Sequence, residues 1–230
     1  MSNKPEHTEE SADVLKAEKP RKTVVREYAE ALIIALILAL LIRTFIVQAF
    51  KIPSGSMEPT LLIGDHLLVS KFSYSVHIPN EIPFTSIQLF PDFHFFSSVP
   101  ERGNIVVFKY PEDESKDFIK RVVGLPGETI QVIRQRVYIN DKLLKEPYAH
   151  HSEPPSSLVP GRDNMSPLRI PEGHIFVMGD NRENSSDSRV WGVLDLKYLR
   201  GKAKWIYWSW DSEGTGFGLR TDRLGTSVYR

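Results

Sequence analysis

The feature that most restricts the fold of this chain is an uninterrupted apolar run, ALIIALILALLI, at Ala31–Ile42. A run of this length suits a buried helix or a signal-peptide core as well as a membrane span. With its flanking residues, the run could form a helix from Glu27 to Ile46. Such a helix would be about 30 Å long, which matches the thickness of a bilayer's hydrocarbon core. Glu30 and Arg43 lie near the two ends, where long side chains reach the lipid headgroups. The run therefore predicts a transmembrane anchor helix over residues 25–48.

A removable signal peptide is the alternative interpretation of this run, since Val47-Gln48-Ala49 offers small residues at the place of a cleavage site. The long polar stretch ahead of the run and Arg43 behind it favour an uncleaved anchor. The cations before the run are Lys16, Lys19, Arg21, Lys22 and Arg26, and those close behind it are Arg43 and Lys51. This excess predicts a cytoplasmic amino end and a single pass through the cell membrane, with the rest of the chain on the outer, periplasmic or extracellular side.

Residues 1–24 form a polar segment that is too poor in apolar side chains to bury a core, and we expect a disordered cytoplasmic tail. The whole chain has 29 Lys and Arg against 29 Asp and Glu, so its formal net charge is +0. Because a nucleic-acid-binding protein usually carries a basic excess, no nucleic-acid partner is expected. The absence of cysteine excludes disulfide scaffolds, thiol nucleophiles and cysteine-rich zinc sites.

After Phe50 the sequence changes to short alternating segments typical of β-strands. The predicted strands are Ile105–Phe108, Phe118–Val123, Thr129–Ile133, Val137–Ile139 and His174–Met178, with a short helix at Leu194–Leu199. Turn signals such as Pro126-Gly127 and Asn140-Asp141 separate them. The pattern predicts a mostly β, antiparallel domain over residues 49–128 and 172–230, with a small inserted hairpin and loop subdomain over residues 129–171.

Three segments leave their roles open at this point. Aromatic side chains are concentrated in residues 84–96, within the longer stretch 77–99, and in residues 204–210. Such side chains either pack in the core or loops, or lie in the membrane interface, where aromatic rings are stabilised. Residues 146–171 are rich in Pro, Ser and His and form an irregular excursion whose role the sequence does not assign.

One serine-containing segment is a candidate for a catalytic role. The chain has no phosphate loop, no H-E-x-x-H and no G-x-S-x-G motif, so no cofactor or metal is expected. Pro53–Thr60 combines two serines with a glycine and two prolines, which suits an ordinary tight turn as well as a presented hydroxyl. A lysine can serve as base when apolar burial removes its proton. The alternation of a strand places Lys120 on the same face as Phe118 and Val122, although Lys109 beside Val107 has a similar pattern.

Four blocks, in this order, resemble the type I signal peptidase family, the membrane-bound serine proteases that remove leader peptides from exported proteins. They are Pro53–Leu61, Gly64–Lys71, Arg102–Phe108 with Phe118–Glu128, and Gly179–Gly192. Any one block is a modest signal, whereas four in order are highly specific. The sequence departs from the family at Asn104, where Asp is usual. The resemblance implies a largely antiparallel β fold of the kind shared with the self-cleaving SOS repressors.

The resemblance also implies the chemistry. It makes Ser56 the nucleophile and Lys120 the general base of a Ser–Lys dyad. The backbone N–H of Ser56 and the hydroxyl of Ser54 would form the oxyanion hole, and Ser185 would orient the Lys120 amine.

The supporting ion pair of the family is expected to be Asp180 with Arg189, and Asp187 is expected nearby. We assign these three residues to scaffolding rather than to the chemical steps, because charged residues on a loop usually form a solvated cluster.

The expected function is that of a membrane-anchored serine endopeptidase that removes signal peptides, cutting after small residues at −3 and −1. Its partners would be signal-peptide-bearing preproteins and the lipid bilayer, while the sequence gives no oligomeric state. Two alternatives stay open: a narrow-specificity relative that processes a dedicated substrate, and a membrane-tethered binding or scaffold module without catalysis. Retention of Ser56, Lys120, Ser54 and Ser185 argues against the second alternative.

Overall fold

The structure is a computed structural model that describes residues 24–42, 46–78, 93–96, 98–154, 156–211 and 218–229. The chain divides into two compact units, one that ends at Ala39 and one that spans Leu40–Arg230. Most of the predicted tail, residues 1–24, lies outside the described residues, as does most of the aromatic stretch 77–99.

The amino-terminal element is helix α1, Val24–Leu41, and none of its side chains is buried. Its alanines and leucines are strong helix formers, and Arg26 pairs with Glu30 one turn later at 2.9 Å. Helix α1 ends at Leu41, whereas the sequence predicts a helix to Ile46, and the chain pairs as a strand from Val47 onward. Among the residues described, no helix has both the length and the mean hydropathy needed to cross a bilayer.

The second unit is mostly antiparallel β-sheet, and this part of the predicted fold class is confirmed. Its strands are β1 Val47–Lys51, β2 Asp65–Ser70, β3 Ser75–Ile78, β4 Phe93–Phe96, β5 Ile105–Tyr110, β6 Asp113–Gly124, β7 Thr129–Ile133, β8 Arg136–Ile139, β9 Lys142–Leu143, β10 Met165–Arg169, β11 His174–Met178, β12 Leu194–Asp195, β13 Leu199–Ser209 and β14 Thr226–Ser227. A short helix α2 covers Ser188–Trp191. The main sheet has the order β1-β2-β13-β5-β6-β11-β12, with β14 paired to β13.

Residues alternate between buried and partly exposed along β2, as expected for a strand with one face on the core. Leu67 and Val69 of this strand pack with Met57 and Leu61, the residues that follow the serine turn. A second part of the core lies between β5, β6 and β11, around Phe108. The serine segment therefore packs on the first part of the core, and β6, which carries Lys120, packs on the second.

A separate four-stranded sheet, in the order β10-β7-β8-β9, lies within residues 129–171. Its two tight turns have positive φ at Arg134-Gln135 and at Asn140-Asp141, the backbone that a two-residue hairpin requires. Its apolar face, including Ile130 and Val137, packs with Val123 and Phe176 of the main sheet. Since the two sheets share this part of the core, the small sheet packs next to β6 and β11 of the main sheet.

The expected short helix at Leu194–Leu199 is mostly wrong. Leu194–Asp195 forms strand β12, one 3-10 turn covers Leu196–Tyr198, and β13 begins at Leu199. Pairing of Ile175 with Leu194 extends the sheet edge at the place where a helix was expected.

The aromatic segment 204–210 lies on β13 and beyond its end, with Trp205, Tyr207 and Trp208 exposed by 50%, 41% and 40%. Two register shifts against β2 interrupt the alternation of β13, so that the neighbours Tyr207 and Trp208 are both exposed. These three side chains therefore lie outside the buried core, and the membrane interface stays the other interpretation of the segment.

Candidate active site

The serine segment forms a 3-10 turn, Gly55–Met57, directly after β1 and a short loop. All three residues of the turn are buried, and Met57 belongs to the core described above. The Leu61 N–H donates to the Met57 carbonyl at 2.9 Å, which continues the turn. The packing of Met57 and Leu61 thus fixes the backbone on which Ser56 is carried.

Lys120 lies on β6 opposite Val106 of β5. Its Nζ lies 2.7 Å from the Ser56 Oγ and donates to the Ile119 carbonyl at 2.9 Å. Only 4% of Lys120 and 7% of Ser56 are exposed. The structure therefore brings together two residues that are 64 positions apart in the sequence.

Burial lowers the pKa of Lys120 to about 8. The carboxylates of Asp187 and Asp180 oppose this shift, and the guanidinium of Arg189 adds to it. The Phe118 ring, whose centroid lies 5.5 Å from Nζ, is part of the apolar surroundings. Desolvation is the largest cause of the shift, as expected for an amine on an inward face.

Lys109, the other lysine that the pattern allowed, is placed differently. Its Nζ pairs with the Glu114 carboxylate at 3.3 Å, and about a third of its side chain, 32%, is exposed. It therefore lacks the burial and the serine contact that Lys120 has.

The loop after β11 is hydrogen-bonded to the backbone of the serine turn. The Asn181 N–H donates to the Ser56 carbonyl, and Asn181 Nδ2 donates to the Gly55 carbonyl, both at 3.1 Å. A Cβ added to Gly179 would lie 2.5 Å from the Ser56 carbonyl oxygen and 2.3 Å from Ser185 Oγ. Only glycine therefore fits at position 179.

The ion pairs differ from the expected one. Asp180 does not pair with Arg189 but accepts a bidentate pair of bonds from Arg121, at 2.8 Å and 2.6 Å. Arg189 bonds to Asp187 instead, at 2.9 Å and 2.8 Å. Asp187 is the acid that precedes helix α2, and its side chain also accepts from the Arg189 N–H. The expected pairing was wrong because a residue two positions away on the same loop reaches Arg189 more easily than Asp180 does.

Gly179 lies between Ser185 and Ser56, since a Cβ added to it would meet both residues. The Ser185 hydroxyl donates to Asp187 at 2.8 Å. The same carboxylate accepts from the Gly179 N–H at 2.9 Å, and Arg189 holds the pKa of Asp187 below its usual range against the opposing effect of burial. In this structure the hydroxyl of Ser185 is thus directed to the acid of the loop, and its expected role toward Lys120 stays a prediction.

A cleft of about 280 Å³ opens in front of Ser56 and Lys120. Its lining comes from the serine turn, from β6 and from the loop that includes Asn184 and Ser186. Ser54 is exposed at its edge and makes no side-chain bond to the turn that it precedes. Its hydroxyl is thus available to a group bound in the cleft.

Sequence reasoning assigned no role to Asn181, Arg121 or Thr60. Arg121 pairs with Asp180, and Thr60 donates to the same carboxylate at 2.6 Å. A signal existed for Arg121, since alternation puts it on the face of β6 opposite to Lys120. Within the part of the chain that the structure describes, no three histidine or carboxylate side chains are grouped to hold a metal ion.

Comparison with known proteins identifies the family of this site. The family model described as "Signal peptidase, peptidase S26" matches residues 25–208. This range includes the serine turn, β6 and the loop after β11. The chain belongs to the signal peptidase family, peptidase S26.

Two relatives illustrate the membership. Signal peptidase I of Pseudomonas aeruginosa is 35% identical, with the alignment covering 83% of this chain and 75% of that protein. A probable signal peptidase I-1 of Synechocystis is 39% identical over 78% of this chain and 80% of its own. A crystal structure of a signal peptidase I from Enterococcus faecalis matches with 29% identity and a TM-score of 0.37, covering 46% of this chain and 97% of that one.

Proposed function

We propose that this chain removes signal peptides from exported preproteins as a serine endopeptidase whose dyad is Ser56 and Lys120. Membership of the signal peptidase family supports the reaction. The observation that carries the assignment of the dyad is the 2.7 Å separation of Lys120 Nζ from Ser56 Oγ in a buried site. A nucleophile within hydrogen-bond reach of a base is the arrangement that covalent catalysis requires.

The first step is acyl transfer. Ser56 Oγ attacks the scissile carbonyl carbon while the neutral amine of Lys120 takes its proton. With a pKa of about 8, roughly a tenth of the amine is neutral at pH 7. Collapse of the tetrahedral intermediate breaks the C–N bond, and Lys120 gives its proton to the leaving amine. The signal peptide then remains on Ser56 as an ester.

The second step is hydrolysis of that ester. Lys120, neutral again after the first step, takes a proton from a water molecule that attacks the ester carbonyl. The acid product leaves, and the proton returns to Ser56 Oγ. One base thus serves both steps, so no histidine is needed.

The oxyanion of each intermediate requires hydrogen-bond donors. We assign this role to the backbone N–H of Ser56 and the hydroxyl of Ser54, which lies at the edge of the cleft without a bond to its own turn. Removal of one donor of this kind typically costs about 2.7–4 kcal/mol of transition-state stabilisation.

Small residues at −3 and −1 are the proposed specificity. The cleft is small, about 280 Å³, and Pro53, Phe118 and Ile119 give it an apolar wall. Such a wall favours short aliphatic side chains, and secretory leaders carry small residues at these two positions.

The membrane location is also part of the proposal. Residues 1–24 would be the cytoplasmic tail and residues 25–48 the single anchor, while residues 49–128 and 172–230 would form the catalytic domain on the outer side, with residues 129–171 as its insert. The apolar side chains of α1 are exposed, which supports contact with lipid.

Cleavage of a preprotein by the purified full chain in detergent tests the proposal. The wild type is expected to cut after the small residue at −1, and Ser56→Ala and Lys120→Ala are expected to leave the preprotein intact. Lys109→Ala is the matched lysine control and should cut like the wild type. Cleavage by Lys120→Ala would remove Lys120 as the base, and an intact preprotein with the wild type would favour a binding module.

A further inference from the structure

The segment that contacts the back of the serine-holding loop is Glu146–Ser152, part of the excursion that the sequence left without a role. We define it as the strap. It lies along Asp180–Glu183, and His150 forms a parallel bridge with Asn181. The His150 N–H donates to the Asp180 carbonyl at 2.7 Å, and its carbonyl accepts from the Arg182 N–H at 3.0 Å. Both neighbours of Asn181 are therefore bonded to the strap.

Two side-chain contacts fix the strap at one end. Arg182 is 1% exposed, and its guanidinium donates to both oxygens of Glu146, at 3.0 Å and 2.6 Å. The Arg121 guanidinium stacks over the Tyr148 ring, with its Cζ 4.0 Å from the ring centroid. Arg121 in turn holds Asp180 with two bonds.

The other end of the strap is bound to the same loop. Glu183 accepts from the Ser152 N–H at 2.8 Å and lies 2.8 Å from His151 Nδ1. The strap thus contacts the loop before, at and after Asn181, the residue that holds the carbonyls of Gly55 and Ser56.

We propose that the strap is a positioning element of the active site, and that Tyr148 and Glu146 are its positioning residues. Neither residue lines the cleft in front of Ser56 and Lys120, and both act through Arg121, Asp180 and Asn181. Arg121 follows Lys120 on β6 and points to its opposite face. The stack of Tyr148 on Arg121 therefore supports the loop from the face behind the dyad. This inference rests on the proposed function of the dyad.

Tyr148→Leu keeps most of the side-chain volume but removes the aromatic face that attracts the cation. We expect kcat on a preprotein to fall about 10- to 100-fold, because small displacements of reacting groups have effects of this size. KM should change less than about threefold, since the cleft itself is untouched. Amide exchange of residues 53–61 should become faster, while exchange in β2 and β5 stays as in the wild type.

Two controls separate positioning from general stability. Tyr148→Phe keeps the ring that stacks on Arg121 and loses only the 3.4 Å bond from the Tyr148 hydroxyl to Glu146, so its kcat should fall less than about threefold. Glu153→Gln removes a carboxylate of the same excursion that pairs with Arg162 rather than with the loop, and it should leave kcat unchanged. Glu146→Gln tests the second contact and should reproduce the pattern of Tyr148→Leu.

Wild-type kcat and exchange in Tyr148→Leu and Glu146→Gln would overturn the proposal. So would faster exchange across the whole domain, which indicates a purely structural role, or a lowered kcat with unchanged exchange at residues 53–61. If the wild-type chain leaves the preprotein intact, the proposed function fails, and the exchange comparison still decides whether the strap holds the serine turn.

Discussion

At the scale of single residues, the site depends on a lysine that the fold keeps away from water. A charged amine in such surroundings is unfavourable, so its proton is released more easily than in solvent. Lys120 therefore gives the proposed chemistry a base that is partly neutral near pH 7, where an ordinary lysine with a pKa of about 10.4 would be almost fully protonated.

The pH dependence of cleavage follows from the pKa of Lys120, which burial lowers to about 8. Because the base must be neutral, kcat/KM should rise about tenfold per pH unit below this value and level off above it. Initial rates on a peptide substrate measured from about pH 6 to about pH 10 check this. A profile that keeps rising toward pH 10 would mean that Lys120 has the pKa of a solvated lysine.

Removal of the buried amine should stabilise the fold. Lys120→Met replaces it with an apolar chain of similar length, and the lost bonds to Ser56 and Ile119 offset part of the gain. We expect a net increase in the free energy of unfolding of about 1–2 kcal/mol at pH 7, together with loss of activity.

The gain should shrink as pH rises from about 8 toward about 10.4, because there the unfolded wild type binds more protons than the folded one and the wild type gains stability with pH. Urea unfolding at pH 7 and pH 9.5 measures both effects. A less stable Lys120→Met at pH 7 would show that the two hydrogen bonds of the amine outweigh its desolvation.

At the scale of elements, the site is assembled where a turn, a strand and a loop meet. The 3-10 turn Gly55–Met57 carries the serine, β6 carries the lysine, and the loop after β11 holds the serine turn through Asn181. These elements are far apart in the sequence, so their contact depends on correct register across the main sheet. One register shift lies within the pairing of β11 with β6.

Gly179→Ala tests how closely the loop and the turn approach. The added methyl group would meet the Ser56 carbonyl oxygen at 2.5 Å, and backbone atoms cannot move aside as a flexible side chain does. We expect a loss of about 1–3 kcal/mol of stability and a fall in kcat of at least about tenfold. Thermal unfolding and peptide cleavage measure the two quantities.

Gly173→Ala is the matched control for this substitution. Gly173 has φ +75° with open space around its Cβ position, so the strain lies in the backbone alone and should cost about 1–2 kcal/mol. Its kcat should equal that of the wild type. Equal kcat losses in the two variants would mean that lowered stability, and not the clash with Ser56, explains the effect.

The strands could be predicted from alternation, and two of them, Thr129–Ile133 and His174–Met178, have the expected bounds. The resemblance to the family pointed to Ser56 and Lys120, whereas the turn pattern alone did not choose between Ser54 and Ser56, and strand alternation alone left Lys109 open. The partner of Asp180 could not be predicted, because an ion pair between β6 and a distant loop depends on tertiary contacts that no local pattern contains. The predicted helix at Leu194–Leu199 is mostly wrong because short apolar segments fit the helical and the strand period, and sheet pairing decides between them.

At the scale of the whole molecule, the proposed catalytic groups belong to one compact unit, Leu40–Arg230. Its core has three parts, one under the serine segment, one between β5, β6 and β11, and one shared with the four-stranded sheet. The apolar side chains that it buries are numerous enough for independent folding. The proposed anchor would then supply location rather than stability.

A chain that starts at Leu40 tests this division. It should fold with an unchanged thermal midpoint and cleave a short soluble peptide within about twofold of the full chain, because the cleft and its supports all lie after residue 40. Cleavage of a preprotein embedded in lipid vesicles should fall about 10- to 100-fold, since the anchor would raise the local concentration of enzyme at the substrate. Equal vesicle activity of the two chains would contradict the anchor. Loss of peptide cleavage with the fold intact would show that the amino-terminal unit contributes to catalysis itself.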